Sequence, residues 1–448
     1  MPAAVGVNIQ QFIDTQRISP FQLKVMALCF LVVAVDGFDT AAVGYIAPAL
    51  KGQWKLAPTQ LSSLFGAGLF GLMAGALLFG PLADKVGRRA VLVIATLFFG
   101  IASIASATSN SIEALTIWRF VTGIGLGGAM PAAITLTSEY CPTKTRSLLV
   151  TTMFCGFTLG AALGGFAAAS IIAEHGWQAV LLLGGVIPAI LAFVLLIFLP
   201  ESVRYLVLRG GRNETVARLL GKISREQTLE GVEFVDTAKV AGFPVKQLFS
   251  GDLLVGTVLL WVTFFMSLLV FYLLTSWLPT LLNSGGQSVK SSAMYALVLP
   301  IGSTVGAIGI GYLMDRFNPR FVLACSYVLA AGFITMLGYS TSMPSLLLLA
   351  VFGAGVGTGG SQVGINALAA AFYPTPSRAT GVSWANAVGR TGSVVGSMIG
   401  GYFLSLGWDL TTVFAVAAIP ALIASLTMVV NGVLNTRRLP LASVAEVV

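Results

Sequence analysis

Long apolar stretches, each separated from the next by a short polar one, run along the chain from about residue 24 almost to its end. A helix needs about 20 apolar residues to cross the hydrocarbon core of a bilayer. Twelve stretches meet that requirement, so the pattern predicts an all-α membrane protein with twelve transmembrane helices. The predicted helices begin near Val25, Gln60, Ala90, Ile112, Leu148, Ala179, Leu253, Ser291, Phe321, Ser345, Ala379 and Thr411.

The longest polar stretch, 200–252, lies between the sixth and the seventh apolar stretches. It predicts three parts: an amino-terminal six-helix bundle over 1–199, a cytoplasmic linker over 200–252, and a carboxyl-terminal six-helix bundle with a tail over 253–448. The linker segment RNETVARLL is typical of a short surface helix. The start of the chain is polar and lacks the form of a cleavable signal peptide, which indicates a short tail.

The two halves of the sequence repeat each other. GPLADKVGRR, which starts at Gly80, shares its glycine, aspartate and final arginine with GYLMDRFNPR, which starts at Gly311. Further pairs follow in the same order: GIGLG with GAGVG, YCPTKTR with YPTPSR, GAALGG with GSMIGG, and Trp177 with Trp408. The sequence therefore predicts two parallel six-helix repeats, with a substrate bound between them near the middle of the membrane.

Charge is scarce and unevenly distributed. Only 9% of the 448 residues are charged and 56% are hydrophobic, which excludes a soluble domain of this length. With the amino terminus in the cytoplasm, twenty of the 25 Lys and Arg fall on the cytoplasmic side, and Lys51, Lys55 and Lys290 fall outside. Positive residues favour the cytoplasmic side, so both termini are expected there. This asymmetry explains the net charge of +8 without a nucleic-acid partner.

The sequence contains no recognisable catalytic or cofactor-binding motif. The four cysteines lie in or beside apolar stretches, without the spacing of a metal site, so neither a metal nor a disulfide is expected. There is one histidine, and no nucleophile–base set or phosphate-binding loop is recognisable. These features argue against an enzyme and against a cofactor, and the linker is too short for the signalling domain of a sensor.

Asp36 and Asp39 lie inside the first apolar stretch. A carboxylate within the membrane is energetically unfavourable, so such residues are functional candidates. A spacing of three puts both on one helix face, and two neighbouring carboxylates in a low dielectric do not both ionise easily. The pair is therefore a candidate proton carrier. The alternative is a structural pair near the membrane edge, with Asp39 capping a helix break before Gly44 or Pro48.

Arg119 and Arg390 are the two basic residues inside predicted membrane helices. Arginine keeps its charge when buried, so each needs an anion. Arg119 could pair with Asp36 or Asp39, or could hold a substrate carboxylate. Arg390 lies near the middle of its helix, and no acid lies within the predicted helices of its own half. An anionic ligand is the hypothesis for Arg390; pairing with the first helix or with backbone carbonyls is the alternative.

Charged residues at the polar ends of the second and eighth predicted helices are candidates for a gate. A carboxylate there can face the positive amino-terminal end of another helix and can lock one state of a transport cycle. The alternative is that these charges mark only the topology. The candidate gating residues are Asp84, Arg88, Arg89, Asp315 and Arg320.

Polar and aromatic residues within the carboxyl-terminal helices could complete a binding cavity. An aromatic ligand would favour stacking on rings and a few hydrogen bonds. For any one of these residues, lipid contact or helix packing is as good an interpretation as ligand contact. The candidates, besides Arg390, Arg119 and Asp39, are Tyr272, Trp277, Gln362, Asn366, Trp384 and Asn386.

Several of these motifs resemble those of one family. GPLADKVGRR is similar to the signature between helices 2 and 3 of the major facilitator superfamily, RFVTGIGLGG to its helix 4 motif, and PESVRYL to its motif at the end of helix 6. DGFDTAAVGYIAPAL, SEYCPTKTRSLLVTTMFCGF and YLLTSWLPTLL resemble the aromatic acid:proton symporters within that superfamily. The resemblance covers essentially the whole chain.

This resemblance implies a function. Members of that family import benzoates, hydroxybenzoates and related acids together with protons. The resemblance points to Asp36, Asp39 and Arg119 as coupling residues. The expected partners are a small aromatic acid, protons and the lipid bilayer, and the expected form is a monomer in a bacterial inner membrane. The alternative is the same fold with another organic acid, a sugar or a drug as its cargo.

Overall fold

The computed structural model of the chain is almost entirely helical and describes residues 7–210, 213–224, 234–235, 248–249, 253–373 and 377–435. The helices of the amino-terminal half are α1 (Ile9–Thr15), α2 (Pro20–Trp54), α3 (Pro58–Val86), α4 (Arg88–Ala107), α5 (Ile112–Tyr140), α6 (Arg146–Phe198), α7 (Val203–Arg209) and α8 (Asn213–Gly221). Those of the carboxyl-terminal half are α9 (Leu253–Ser284), α10 (Val289–Ala296), α11 (Val298–Arg316), α12 (Pro319–Tyr339), α13 (Pro344–Phe372), α14 (Arg378–Ser405) and α15 (Leu410–Asn435).

The described residues contain the helices for twelve membrane spans, in agreement with the sequence prediction. Ten helical segments of the described chain are long and apolar enough to span a bilayer, with α10 and α11 together forming one of them. Helix α6 is counted once but contains two spans, because Gly176 interrupts it with φ 76 and ψ 173, a conformation that glycine adopts readily. The remaining span is α14, which is less apolar because it carries Asn386 and Arg390.

The chain divides into two compact units, and the predicted surface helix of the linker is present as α8. The first unit comprises Met1–Ala49 and Ser63–Val240, and the second comprises Leu50–Ser62 and Ala241–Val448. Each unit contains its own cluster of buried apolar side chains. Much of the predicted linker, and the tail after residue 435 with Arg437 and Arg438, lies outside the described residues.

The internal repeat is visible in how the helices pack. In the first unit α6 meets α2 at Gly160, where an added Cβ would lie 1.8 Å from the carbonyl oxygen of Ala34. In the second unit α14 meets α9 at Gly396, where an added Cβ would lie 2.1 Å from the carbonyl oxygen of Leu269. Small residues allow membrane helices to approach this closely. The sequence match of GAALGG with GSMIGG thus corresponds to the same contact made twice.

One of the matched motifs is in a different register from the one that the sequence predicts. Gly123 on α5 faces the carbonyl of Gly68 on α3, with an added Cβ 2.1 Å from that oxygen. Its equivalent is Gly355, which faces the carbonyl of Leu299 on α11 at the same 2.1 Å, whereas Gly353 faces Phe333 on α12. The sequence match of Gly123 with Gly353 is therefore wrong by two residues, and Gly355 is the structural equivalent of Gly123. The match fails because alternate glycines of α13 contact different neighbouring helices.

Gly160→Leu should destabilise the first unit. The added side chain would force α6 away from the backbone of α2, and overpacking of this kind costs about 1–3 kcal/mol. The measurement is the unfolding temperature of the purified protein in detergent. Gly309→Leu is the matched control, since no atom beyond its own stretch of helix lies within 4 Å of the Cβ position at exposed Gly309. Equal losses in both variants would contradict this account of α2–α6 packing.

The polar start of the chain is folded rather than a simple tail. The segment Val7–Thr15, here called the amino-terminal clip, contains the two-residue strand β1 (Val7–Asn8), which pairs in parallel with β2 (Phe234–Val235). Helix α1 follows and buries apolar side chains in the core of the first unit. The carboxylate of Asp14 accepts the N–H of Thr143 at 2.7 Å and its hydroxyl at 2.8 Å. Burial alone would raise the pKa of Asp14, but these donors lower it.

Candidate functional site

A buried ion pair lies in the first unit. Asp39 on α2 is 0% exposed and Arg119 on α5 is 3% exposed. Arg119 Nη1 lies 3.0 Å from Asp39 Oδ1, and Nη2 lies 2.6 Å from Oδ2. The planar guanidinium thus matches the carboxylate with two parallel hydrogen bonds, the strong form of this contact. Of the alternatives that the sequence leaves open for Arg119, the structure therefore contains the pairing with Asp39.

Ser103 on α4 completes this arrangement, and sequence reasoning missed it. Its hydroxyl lies 2.8 Å from Asp39 Oδ1 and 3.2 Å from the carbonyl oxygen of Leu181. A hydroxyl has one hydrogen, so it donates to one of these acceptors at a time. The chain has many serines in apolar stretches, and only the fold singles out this one.

Asp36 is also buried, one helical turn before Asp39 on α2. The hydroxyl of Thr40 donates to its Oδ1 at 3.2 Å. An added Cβ at Gly37 would lie 2.0 Å from the carbonyl oxygen of Phe157, so α6 lies directly against this part of α2. Both predicted aspartates are therefore within the protein, on one turn of a tightly packed helix.

Three residues with amide side chains are linked by hydrogen bonds in the second unit, here called the amide row: Gln362 and Asn366 on α13, and Asn386 on α14. Asn386 Nδ2 donates to Asn366 Oδ1 at 3.0 Å and to the carbonyl of Val382 at 3.0 Å. Asn366 Nδ2 donates to the carbonyl of Gln362 at 2.7 Å. The Gln362 Oε1 accepts from the hydroxyl of Ser267 at 2.7 Å.

Arg390 lies one helical turn beyond Asn386 on α14 and is half-buried. Its Nη1 is 3.4 Å from the hydroxyl of the buried Tyr272 on α9. The second unit therefore brings together five residues that the sequence predicts for binding. They are Tyr272, Gln362, Asn366, Asn386 and Arg390.

The two predicted tryptophans make other contacts. Trp277 is 0% exposed, donates its indole N–H to the carbonyl of Ser397 at 2.7 Å, and packs against Gly400. Trp384 is 44% exposed and stacks on Trp261, with ring centroids 6.0 Å apart and an interplanar angle of 14°. Trp277 thus serves the contact between α9 and α14, and Trp384 belongs to an aromatic pair.

The predicted gating residues of the first unit join a charged cluster. Asp84 Oδ1 lies 2.9 Å from Arg88 Nη2, with the Asp84 side chain 74% exposed. Arg88 Nε is also 3.6 Å from Glu139, which accepts the hydroxyl of Ser202. Sequence reasoning missed Glu139, whose only signal is its place in the SEYCP motif.

A second missed carboxylate lies beside this cluster. Glu201 Oε1 accepts the backbone N–H of Arg89 at 3.1 Å, and the Glu201 carbonyl accepts the hydroxyl of Tyr140 at 2.6 Å. The guanidinium of Arg89 donates to the carbonyl of Leu196. The PES motif thus ties the end of α6 to the start of α4 and the end of α5.

The corresponding end of the second unit is built differently. Asp315 is exposed at the end of α11, and Arg320 Nε donates to Asn431 Oδ1 at 2.8 Å. The sequence match of YCPTKTR with YPTPSR aligns Glu139 with Phe372, an apolar residue. The carboxylate that Arg88 contacts has no charged equivalent at that position, so the two repeats are not symmetric here.

No cluster of ligating side chains suited to a metal ion is found in the described part of the chain. The candidate residues form two groups, one within each unit. The first contains Asp36, Asp39, Ser103 and Arg119. The second contains Tyr272, Gln362, Asn366, Asn386 and Arg390.

Comparison with known proteins places the chain among transporters. A family model described as Major Facilitator Superfamily matches residues 29–310 and 291–441. The 4-hydroxybenzoate transporter PcaK of Pseudomonas aeruginosa is 44% identical over 445 residues, which cover 97% of this chain and 98% of the relative. The gallate transporter of Pseudomonas putida is 42% identical over 441 residues, covering 98% of each chain.

A solved structure has the same fold. The xylose transporter XylE from E. coli, in its inward open conformation, superposes with a TM-score of 0.71 at 18% identity, covering 91% of this chain and 95% of that one. This likeness establishes the arrangement of the helices.

Proposed function

Because the chain belongs to the Major Facilitator Superfamily, a family of membrane transporters rather than enzymes, we propose that it is a proton-coupled symporter. It imports aromatic carboxylic acids of the benzoate or hydroxybenzoate type by alternating access. The observation that carries the proposal is the presence of a titratable carboxylate, Asp39, and a permanent cation, Arg390, among the buried and half-buried residues of the two units. The names of the full-length relatives support the aromatic cargo.

Coupling to protons follows from the charge of the cargo. An anion that enters a negative interior is opposed by roughly 2.3 kcal/mol per charge per 100 mV. One proton carried along removes this electrical term, and more than one reverses it. A symporter of this kind needs one group that binds and releases protons and another that holds a carboxylate.

Asp39 is the proposed proton site, with Asp36 beside it. An ionised Asp39 fits two donors from Arg119 and one from Ser103. A proton on Asp39 removes the charge that Arg119 pairs with, so proton binding is linked to release of the guanidinium. Arg119 thereby connects the state of α2 with that of α5 and relays the proton's effect toward the substrate.

Arg390 is the proposed anchor for the substrate carboxylate. Its guanidinium is half-buried, keeps its charge and offers the planar fork that carboxylates match best. The hydroxyl of Tyr272 beside it can orient the guanidinium or donate to the same carboxylate. Asn386 of the amide row lies one turn away on the same helix, and the row supplies neutral polar groups for the rest of the ligand.

The protein is a multi-pass membrane protein, and we propose that it lies in a bacterial inner membrane with both termini in the cytoplasm. The excess of Lys and Arg in the loops assigned to the cytoplasm supports this orientation. We also propose that a monomer suffices, that no catalytic step or cofactor is involved, and that the bundles over 1–199 and 253–448 are the two bodies of the transport cycle.

Uptake into proteoliposomes tests the proposal. The purified protein should accumulate radiolabelled 4-hydroxybenzoate and benzoate when the lumen is made alkaline, and an uncoupler should abolish the accumulation. Xylose and a cationic dye are the comparison substrates and should not accumulate. Accumulation of either comparison substrate would assign the chain another cargo. Uptake of the acids that does not depend on the pH gradient would assign it another mechanism.

Asp84→Asn should slow transport while leaving substrate affinity nearly unchanged. We propose that the cluster around Asp84 and Arg88 holds one state of the cycle, so its loss changes the balance of states rather than the binding site. Because the Asp84 side chain is 74% exposed, the stability change should stay below about 1 kcal/mol. Initial uptake rates and direct binding measure the two effects, and Asp315→Asn should be milder. A large loss of affinity with unchanged rates at saturation would contradict a gating role.

A further inference from the structure

We propose that the amide row recognises a hydroxyl group on the aromatic ring, with Asn386 Oδ1 as the acceptor that selects it. The inference rests on the proposed function, since it assumes an aromatic acid whose carboxylate is held at Arg390. It goes further because it assigns a preference for hydroxylated over plain benzoates to one named atom. Four features of the row support the inference. They are the orientation of its two asparagine side chains, its one unused hydrogen-bond acceptor, its lack of charge, and its spacing from Arg390.

The orientation of both asparagines is fixed by chemistry. Asn386 Nδ2 contacts the carbonyl of Val382, and Asn366 Nδ2 contacts the carbonyl of Gln362. A backbone carbonyl can only accept, so the side-chain atom facing it must be the amide nitrogen in each case. The Asn366 Oδ1 is then left to accept the second N–H of Asn386, as observed at 3.0 Å.

The row therefore has one unused acceptor. Both N–H groups of Asn386 are engaged, and within the described residues no donor contacts its Oδ1. This oxygen is not among the fully buried polar atoms of the described residues that lack a partner, so part of its surface is accessible. The Oε1 of Gln362 is engaged by Ser267, which leaves its Nε2 as a donor at the same row.

A phenolic hydroxyl fits this oxygen, because it has one hydrogen to donate and Asn386 Oδ1 can accept it. A carboxylate has no hydrogen to donate and would place its lone pairs against those of Asn386. The row thus favours the hydroxyl end of the ligand over the carboxylate end. Arg390, which is positively charged, favours the carboxylate end.

The spacing along α14 suits a para-substituted ring. Residues four apart on a helix lie on one face, with Cβ atoms about 5–6 Å apart. Asn386 and Arg390 have this separation in sequence. In 4-hydroxybenzoate the carboxylate and the hydroxyl lie at opposite ends of one ring, a length of about one helical turn, ~5.4 Å. A hydroxyl in the ortho position would lie too close to Arg390 to reach the row.

Binding of three acids to the purified protein tests this assignment: 4-hydroxybenzoate, 2-hydroxybenzoate and benzoate. The wild type should bind 4-hydroxybenzoate about tenfold or more tightly than benzoate, since a polar site left without its partner weakens binding by roughly that factor or more. Asn386→Leu, which is nearly isosteric, should bring the ratio close to one mainly by weakening 4-hydroxybenzoate. Asn386→Ala replaces it if the leucine variant does not fold.

The ratio of affinities is the readout, because a general loss of folding affects both ligands alike. Thr391→Ala is the matched control, since this exposed neighbour on α14 bonds only the carbonyl of Val388 in its own helix. It should keep the wild-type ratio. An Asn386→Leu protein that keeps the preference would overturn the assignment, as would a wild type without any preference. A wild type that binds none of the three acids would instead overturn the proposed function.

Discussion

Asp39→Asn is expected to abolish accumulation of an aromatic acid against its gradient. The change removes the group proposed to carry the proton and leaves the guanidinium of Arg119 buried without its counter-charge. Breaking one side of a buried ion pair typically costs about 3–5 kcal/mol, so the single variant should also be less stable. Accumulation driven by a pH gradient in proteoliposomes measures the first effect, and the unfolding temperature measures the second.

A double variant separates these two effects. Asp39→Asn combined with Arg119→Gln removes both charges, so no unpaired charge remains in the core and much of the stability should return. It should exchange labelled for unlabelled substrate but should not concentrate it. Asp36→Asn leaves the ion pair intact and should also lose accumulation if both aspartates take part. Accumulation at the wild-type level by the double variant would exclude Asp39 as the proton site.

Arg390→Ala is expected to weaken binding of a benzoate about tenfold to a hundredfold. The loss of one charge-assisted contact at this half-buried guanidinium is worth about 1.5–3 kcal/mol. Arg390→Lys keeps the charge but loses the planar fork, and should weaken binding to a smaller extent. Direct binding to the purified variants, by calorimetry or equilibrium dialysis, is the measurement.

The comparison with Arg119→Ala locates the carboxylate. Arg119 is held by both oxygens of Asp39 in the structure, so its removal should impair coupling more than affinity. Wild-type affinity in Arg390→Ala would move the anchor to another residue. If neither variant weakened binding, neutral donors would hold the carboxylate, and an acidic cargo would lose its main physical argument.

The membrane architecture was predictable because the bilayer imposes a simple rule on the sequence. Each span needs a long apolar stretch, and the break at Gly176 could be anticipated from the polar residues around it. The folded amino-terminal clip was not predicted, since its buried side chains belong to a segment of seven residues, too short for a periodic signal. Its strand partner lies in the linker and is set by tertiary contact alone.

The site was predictable to the extent that burial of charge is rare. Asp39, Arg119 and Arg390 stand out because polar groups are unfavourable in a membrane. Ser103 and Glu139 do not stand out in the sequence, because serines and carboxylates at helix ends are common. Only the residues that contact them in the fold indicate their roles. Trp277 illustrates the reverse case, since an aromatic residue facing a ligand and one packed between helices have the same sequence signature.

The pairing of β1 with β2 determines whether the number of membrane crossings between the two strands is even or odd. Two strands that hydrogen-bond directly lie on the same side of a bilayer, so the chain between Asn8 and Phe234 must cross it an even number of times. The six spans from α2 to α6 satisfy this condition. During synthesis, Val7 leaves the ribosome long before its partner strand exists. The amino-terminal clip can therefore close only after all six spans have been made, so its closure marks the completed synthesis of the first half.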